Sequence, residues 1–143
     1  MINSEPPWWL YGLIGAFFAA LTTIFAKIGI ESVNANLANA IRTVVILAMA
    51  WSIVLFQGQA AALPEISVRN LIFLGFSGLS TGLSWFYYFK ALQLGPASLV
   101  APLDKTGVVF VVLFSAVFLH EPLTLQSSMG AVLILAGTLL FVL

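Results

Sequence analysis

The chemistry this chain can do rests on a few polar side chains set inside long apolar runs. Asp104 and Lys105 stand side by side between Leu99-Val100-Ala101-Pro102-Leu103 and the apolar run Val108–Phe114. Arg42 has Asn39 one helical turn before it, and Lys27 closes a run of uncharged residues that begins at Trp8. Charged groups at such positions mark substrate paths, proton relays or ion pairs, because hydrocarbon offers them no partner of its own. An Asp there can exchange a proton or cation between two exposures. An Arg can grip an anionic group with two N–H donors at once. Four hydroxyls, Ser77, Thr81, Ser84 and Tyr88, recur at helical spacing and line one face.

Each of these has a plainer reading beside it. Lys105 can snorkel to the headgroups while Asp104 pairs across helices. Their neighbours four residues away are Val100, Val108, Ala101 and Val109, so neither finds an ionic partner at helical spacing. Lys27 either points into the bundle along the stripe Gly12, Ala16, Ala19 and Thr23 or anchors the helix end at the interface. Arg42 either binds an anion or pairs with Glu31 or Asp104. The Ser and Thr hydroxyls either line a cavity or bond the carbonyl one turn back, which leaves Tyr88 as the hydroxyl that cannot do so. His120 and Glu121, next to Pro122, read as a structural turn.

Composition decides what must position these groups. The chain has 143 residues, 62% hydrophobic and 7% charged. A soluble domain is about 25% charged, so a soluble globule is excluded. The apolar runs are continuous rather than alternating, which selects membrane-crossing helices over a barrel. The fold class is all-α: a polytopic membrane bundle of about five transmembrane helices at about 20 residues each. They are expected at 8–28, 37–56, 68–90, 98–120 and 126–143, as a single transmembrane domain over residues 1–143. The first is read as a retained helix, not a cleaved signal peptide, with Trp8, Trp9 and Tyr11 as an interfacial aromatic belt.

Pro102 deprives the Ser98 carbonyl of its helical donor, so the fourth helix is expected to be kinked and polar near its start, a common construction for a substrate site. In the third helix Leu71, Gly75, Gly78, Gly82, Trp85 and Phe89 share a face, and Gly78 and Gly82 form a Gly-x-x-x-Gly step suited to close packing against another helix or subunit. Gly12 and Ala16 offer a similar face on the first helix.

Five spans put the termini on opposite sides. The N-terminal side then carries Glu5, Glu65, Arg69 and Glu121, and the other Lys27, Glu31, Arg42, Lys90, Asp104 and Lys105. Four basic residues against one favour an outside N-terminus. The chain has no cysteine and one histidine, which argues against thiolate chemistry and a metal site. Its zero net charge, without any basic cluster, argues against a nucleic-acid partner. No hydrolase, kinase or dehydrogenase motif is present, so no catalytic residue, no enzyme activity and no cofactor is expected.

Tyr87-Tyr88-Phe89-Lys90-Ala91-Leu92, then Gly95-Pro96-Ala97-Ser98 and Ala101-Pro102-Leu103, resembles the junction between the third and fourth helices of EamA-type transporters in the drug/metabolite transporter superfamily. Leu119-His120-Glu121-Pro122-Leu123-Thr124, followed by Gln126, Gly130 and Gly137, resembles that repeat's last turn and closing helix. The resemblance covers the whole chain and is densest from Trp85 to Leu143. It points to the short, single-repeat, five-helix bacterial and archaeal group, of which Asp104-Lys105 also looks typical. It implies an inner-membrane secondary transporter or exporter of small metabolites. Its missing half would come from a second copy, antiparallel or parallel, or from a separate half-transporter. A lipid-carrier flippase-like subunit and a non-transporting scaffold or regulatory subunit are the alternatives.

Overall fold

The structure is a computed structural model and describes residues 6–143. Glu5, counted above among the N-terminal charges, lies outside the described residues. Six α-helices and one 3-10 helix make up the described residues, with no strand among them. The helices are α1 (Trp8–Gly29), α2 (Ala35–Phe56), α3 (Val68–Leu94), α4 (Ala97–Asp104), α5 (Gly107–Phe118) and α6 (Leu125–Leu139), with the 3-10 turn Gln59–Glu65 between α2 and α3.

Local chemistry sets most of the boundaries. The Asn34 side chain accepts from the Asn36 amide and caps α2. Gly58 takes φ 69°, the left-handed conformation that ends a helix at little cost for glycine. The Ser67 hydroxyl accepts from the Asn70 amide at the start of α3, and Thr124 does the same for Ser127 at the start of α6. His120, at φ 55°, occupies the left-handed position after α5, and the Glu121 amide reaches back to the Ser115 carbonyl at 3.2 Å. That bond, following a left-handed residue, closes the C-terminal end of α5.

Three of the expected helices end or break more than two residues from the sequence expectation. The third helix was expected to stop at Lys90 and runs on to Leu94. Lys90 is exposed while Leu92 is fully buried, so the helix continues until Gly95-Pro96 ends it. The fourth is not one unbroken helix over 98–120. It divides at Lys105-Thr106, where amides bond three residues back, Lys105 to Pro102 at 2.9 Å and Thr106 to Leu103 at 3.1 Å. The break thus falls just after Pro102 rather than at the helix start, and the Thr106 hydroxyl reinforces it by donating to the same Leu103 carbonyl. The last helix begins at Leu125 and gives way to turns after Leu139.

Three spans are long and apolar enough to cross a bilayer: Trp8–Gly29, Ala35–Phe56 and Ala97–Phe118, the last taking α4 and α5 together. The 3-10 turn and α3 would make a fourth, bent by 114°, and Leu125–Leu139 is a shorter apolar helix. This is a polytopic all-α membrane protein. Large apolar side chains stand on the helix exteriors, among them Phe17, Leu47, Phe73 and Phe114. Such a surface is stable only against hydrocarbon.

The chain divides into two units, Ala26–Leu94 and the remainder formed by α1 through Phe25 with Gly95–Leu143. In the first, α2 packs against α3, and Ile30, Ala35, Phe89 and Leu92 are buried where the α1–α2 turn meets the end of α3. In the second, α6 packs on α5 and α4, with Ala131 and Thr138 buried.

Candidate functional site

The most ordered polar arrangement in the unit Ala26–Leu94 is built around Arg42. Its guanidinium carbon lies 3.5 Å from the centroid of the Trp85 ring and 5.4 Å from that of Phe89. Trp85 and Phe89 are one turn apart on α3 and meet with ring centroids at 5.8 Å, while Tyr88 sets its ring edge-on to Trp85 at 5.5 Å. Phe89 is buried in the knot that fastens α3 to the α1–α2 turn, so this aromatic wall has a fixed base. Asn39 adds one long contact to the guanidinium, Nη1 to Oδ1 at 3.4 Å.

Lys27 and Gln93 hold that base together. The Lys27 ammonium donates to the Leu92 carbonyl at 2.5 Å, and the Gln93 amide donates to the Val33 carbonyl at 3.3 Å. Leu92 lies within the last turn of α3, where carbonyls lack helical donors, so Lys27 supplies a bond the helix cannot. A cleft of about 360 Å³ opens beside it, lined by Lys27, Ile28, Ile30, Glu31 and Gln93.

The hydroxyl row divides. The Thr81 hydroxyl donates to the Ser77 carbonyl at 2.9 Å, the back-bonded arrangement, whereas Ser77 and Ser84 stand exposed. Tyr88 belongs to the aromatic wall. In the other unit, Asp104 and Lys105 meet each other at 3.4 Å, both exposed. The spacing argument had left them without a partner on their own helix. The tightened turn at Lys105 brings the adjacent side chains together. Within its own unit Arg42 has no carboxylate at ion-pair distance, so the pairing with Glu31 does not form there.

Whole-chain comparison places the chain in a family. The model of the EamA-like transporter family matches residues 6–143. The chain belongs to that family. A protein described as an uncharacterized transporter in the cobO 3′ region of a Sinorhizobium species is 48% identical over 133 residues, covering 93% of this chain and 94% of the relative. An uncharacterized protein of Methanocaldococcus jannaschii is 31% identical over 137 residues, 92% of this chain and 93% of its own length. An uncharacterized transporter of Helicobacter pylori is 26% identical over 152 positions, and this chain spans only 51% of that protein. No solved structure matches.

Within this EamA-like chain the glycine faces are open. A Cβ placed on Gly12, Gly75, Gly78, Gly82, Gly130 or Gly137 would meet nothing within 4 Å among the described residues. Ala16 is likewise exposed. Gly95 and Pro96 end α3, Pro102 lies inside α4, and Glu121 and Pro122 follow the stop of α5. The residue that sequence reasoning left out of the site is Trp85, read there only as part of a packing seam. Its spacing of four from Phe89 was visible, but its meeting with Arg42 depends on how α2 and α3 are registered.

Proposed function

We propose that this EamA-like chain is a secondary transporter, an exporter of small metabolites rather than an enzyme, working as a dimer of halves in the inner membrane. The observation that carries the reading is Arg42, a cation held on an aromatic wall within a membrane-crossing helix, in a chain of a transporter family. Evolution tolerates such a charge in hydrocarbon chiefly where it handles a solute or ion. The need for a second half is supported by the Helicobacter pylori transporter, about twice as long as this chain, and by the open glycine faces of α3. The partner half is a second copy of this chain, antiparallel as in inverted-repeat transporters.

In this reading Arg42 contacts the solute, with Ser77, Ser84 and Tyr88 along its path, and Asp104 is the coupling carboxylate, exchanging its Lys105 contact for a proton or cation. Lys27 braces the base of the site. The test compares the metabolites released by cells expressing the wild type, D104N or no copy of the chain. Wild-type cells should release at least one solute in excess, and D104N cells, with the protein equally inserted, should not. Equal release from wild-type and D104N cells would remove Asp104 from the mechanism, and no difference between wild-type and empty cells would end the transport reading.

A further inference from the structure

We infer that Arg42 and Trp85 together form a receptor for an oxyanion, a carboxylate or phosphate group, and that the solute moved by this chain is therefore an organic anion; the second clause rests on the transport reading, the first does not. Two independent helical rulers set the depth. Arg42 lies seven residues beyond Ala35, the start of α2, about 10 Å along the helix. Trp85 lies nine residues before Leu94, the end of α3, about 14 Å along it. In a hydrocarbon core about 30 Å thick, both rulers put the pair well inside the bilayer.

A guanidinium at that depth needs a counter-charge, and its own unit, Ala26–Leu94, offers none. Neither carboxylate of that unit, Glu31 or Glu65, lies within ion-pair distance of Arg42. Its polar contact is the 3.4 Å approach to Asn39 Oδ1, at the outer limit of a hydrogen bond. A guanidinium presents five N–H donors, all in its own plane. Trp85, at 3.5 Å from the guanidinium carbon, interacts with the π-face. It stabilises the cation yet accepts none of the N–H bonds and adds no negative charge. The ring also pins the side chain, so it does not snorkel to the headgroups as a free Arg would. What fits a held, charged, planar fork with unused donors is a group with two oxygens and negative charge, bound bidentately. The wall of Trp85, Tyr88 and Phe89 adds apolar surface for the body of the ligand.

The test reads Trp85 itself. Replacing Trp8, Trp9 and Trp51 by Phe leaves Trp85 as the single tryptophan, against which the cation is stacked. The purified protein, in an uncharged maltoside detergent, is titrated with succinate, with inorganic phosphate and with short-chain dihexanoyl phosphatidic acid, against sodium chloride at matched ionic strength. A saturable change in Trp85 emission is expected with an oxyanion and not with chloride. It should be lost in R42Q and at least tenfold weaker in R42K, since an ammonium cannot bind bidentately. A response to succinate or phosphate assigns the receptor to a free solute. One to phosphatidic acid alone assigns it to a lipid headgroup and removes the organic-anion solute.

No saturable response to any of the three probes, or an undiminished one in R42Q, overturns the receptor. Should R42Q not fold, R42K decides, and unchanged affinity there overturns it equally. Binding needs no turnover, so the two readings fail separately. A protein that exports solute but ignores oxyanions loses the receptor alone, and one that binds them but exports nothing loses the transport reading alone.

Discussion

The Arg42 guanidinium sits 3.5 Å from the Trp85 ring centroid, joining the first third of α2 to the last third of α3. One contact thereby has two roles. It holds the two helices in register, and it holds a cation at a fixed point inside the bilayer. Phe89, buried below it and 5.4 Å from the same guanidinium, ties the arrangement to the turn between α1 and α2.

Replacing Trp85 separates those roles. A desolvated cation–π contact contributes about 2 kcal/mol, with Trp the strongest of the three rings. W85A, which also removes the ring's packing against Phe89 and Tyr88, should destabilise the protein by about 3–5 kcal/mol. W85F keeps a ring and should lose about 1 kcal/mol. Thermal unfolding in detergent, followed by circular dichroism, checks the order wild type, W85F, W85A.

Lys27 tests the base of the site. Its ammonium bonds the Leu92 carbonyl, an acceptor in the last turn of α3 with no helical donor of its own. K27M keeps the length and the apolar stem but loses that bond. A charge-assisted hydrogen bond contributes about 1.5–3 kcal/mol, and thermal unfolding should fall accordingly. Hydrogen exchange should rise at residues 89–94 and 30–35, whose packing depends on the tie, and stay level in α5 and α6.

Much of this fold could be read from residue order. The helices follow from uninterrupted apolar runs, and their ends from residues such as Asn34, Gly58, Ser67, Thr124 and the Gly95-Pro96 pair, each acting within a few residues of itself. What escaped was set at longer range or by competition. Lys90 looked like an end because charge usually marks an interface, but burial of Leu92 carried α3 another turn. The break expected from Pro102 fell at Lys105-Thr106 because the Thr106 amide and hydroxyl both turn to Leu103. Arg42 could be picked out as a cation inside an apolar run. Its partner could not, because an aromatic ring on another helix leaves no periodic trace beside the residue it meets.

His120 carries a backbone cost that a single substitution relieves. At φ 55° a side chain crowds its own carbonyl, and an L-residue there is disfavoured by about 1–2 kcal/mol relative to an extended or helical one. Glycine adopts that conformation freely but loses more entropy on folding. The net expectation for H120G is a gain of about 0.5–1 kcal/mol, seen as a higher unfolding midpoint with release of solute unchanged. A lower midpoint would mean that the imidazole itself contributes to the turn.

Gly78 and Gly82 bear on association. Nothing within the described residues comes within 4 Å of a Cβ at either position, so G78L and G82L leave the single chain unstrained, and both positions already lie in an apolar helix. Glycine in a helix costs about 1 kcal/mol against a good helix former, so each variant should fold at least as well as the wild type. If the α3 face meets a second copy, the added isobutyl groups keep the backbones apart and the dimer is lost. Detergent-phase cross-linking should then give monomer for both variants and dimer for the wild type, at unchanged or raised thermal stability. Equal cross-linking in all three would move the dimer contact off this face.

Orientation decides what kind of dimer that is. Single cysteines at Gln59 and Ser32, both exposed, fall on opposite sides of the bilayer if α2 crosses it. The parent chain has no cysteine to interfere. Intact cells treated with an impermeant maleimide label only sites that face outward. An antiparallel pair needs each chain in both orientations, so Q59C and S32C should each label in about half of the molecules before permeabilisation and in the rest after it. That outcome would require dual insertion despite four basic residues on one side against one on the other, a bias that ordinarily fixes orientation. If Q59C labels fully and S32C not at all, every N-terminus is outside. The two halves must then be parallel copies, or this chain must pair with a different half.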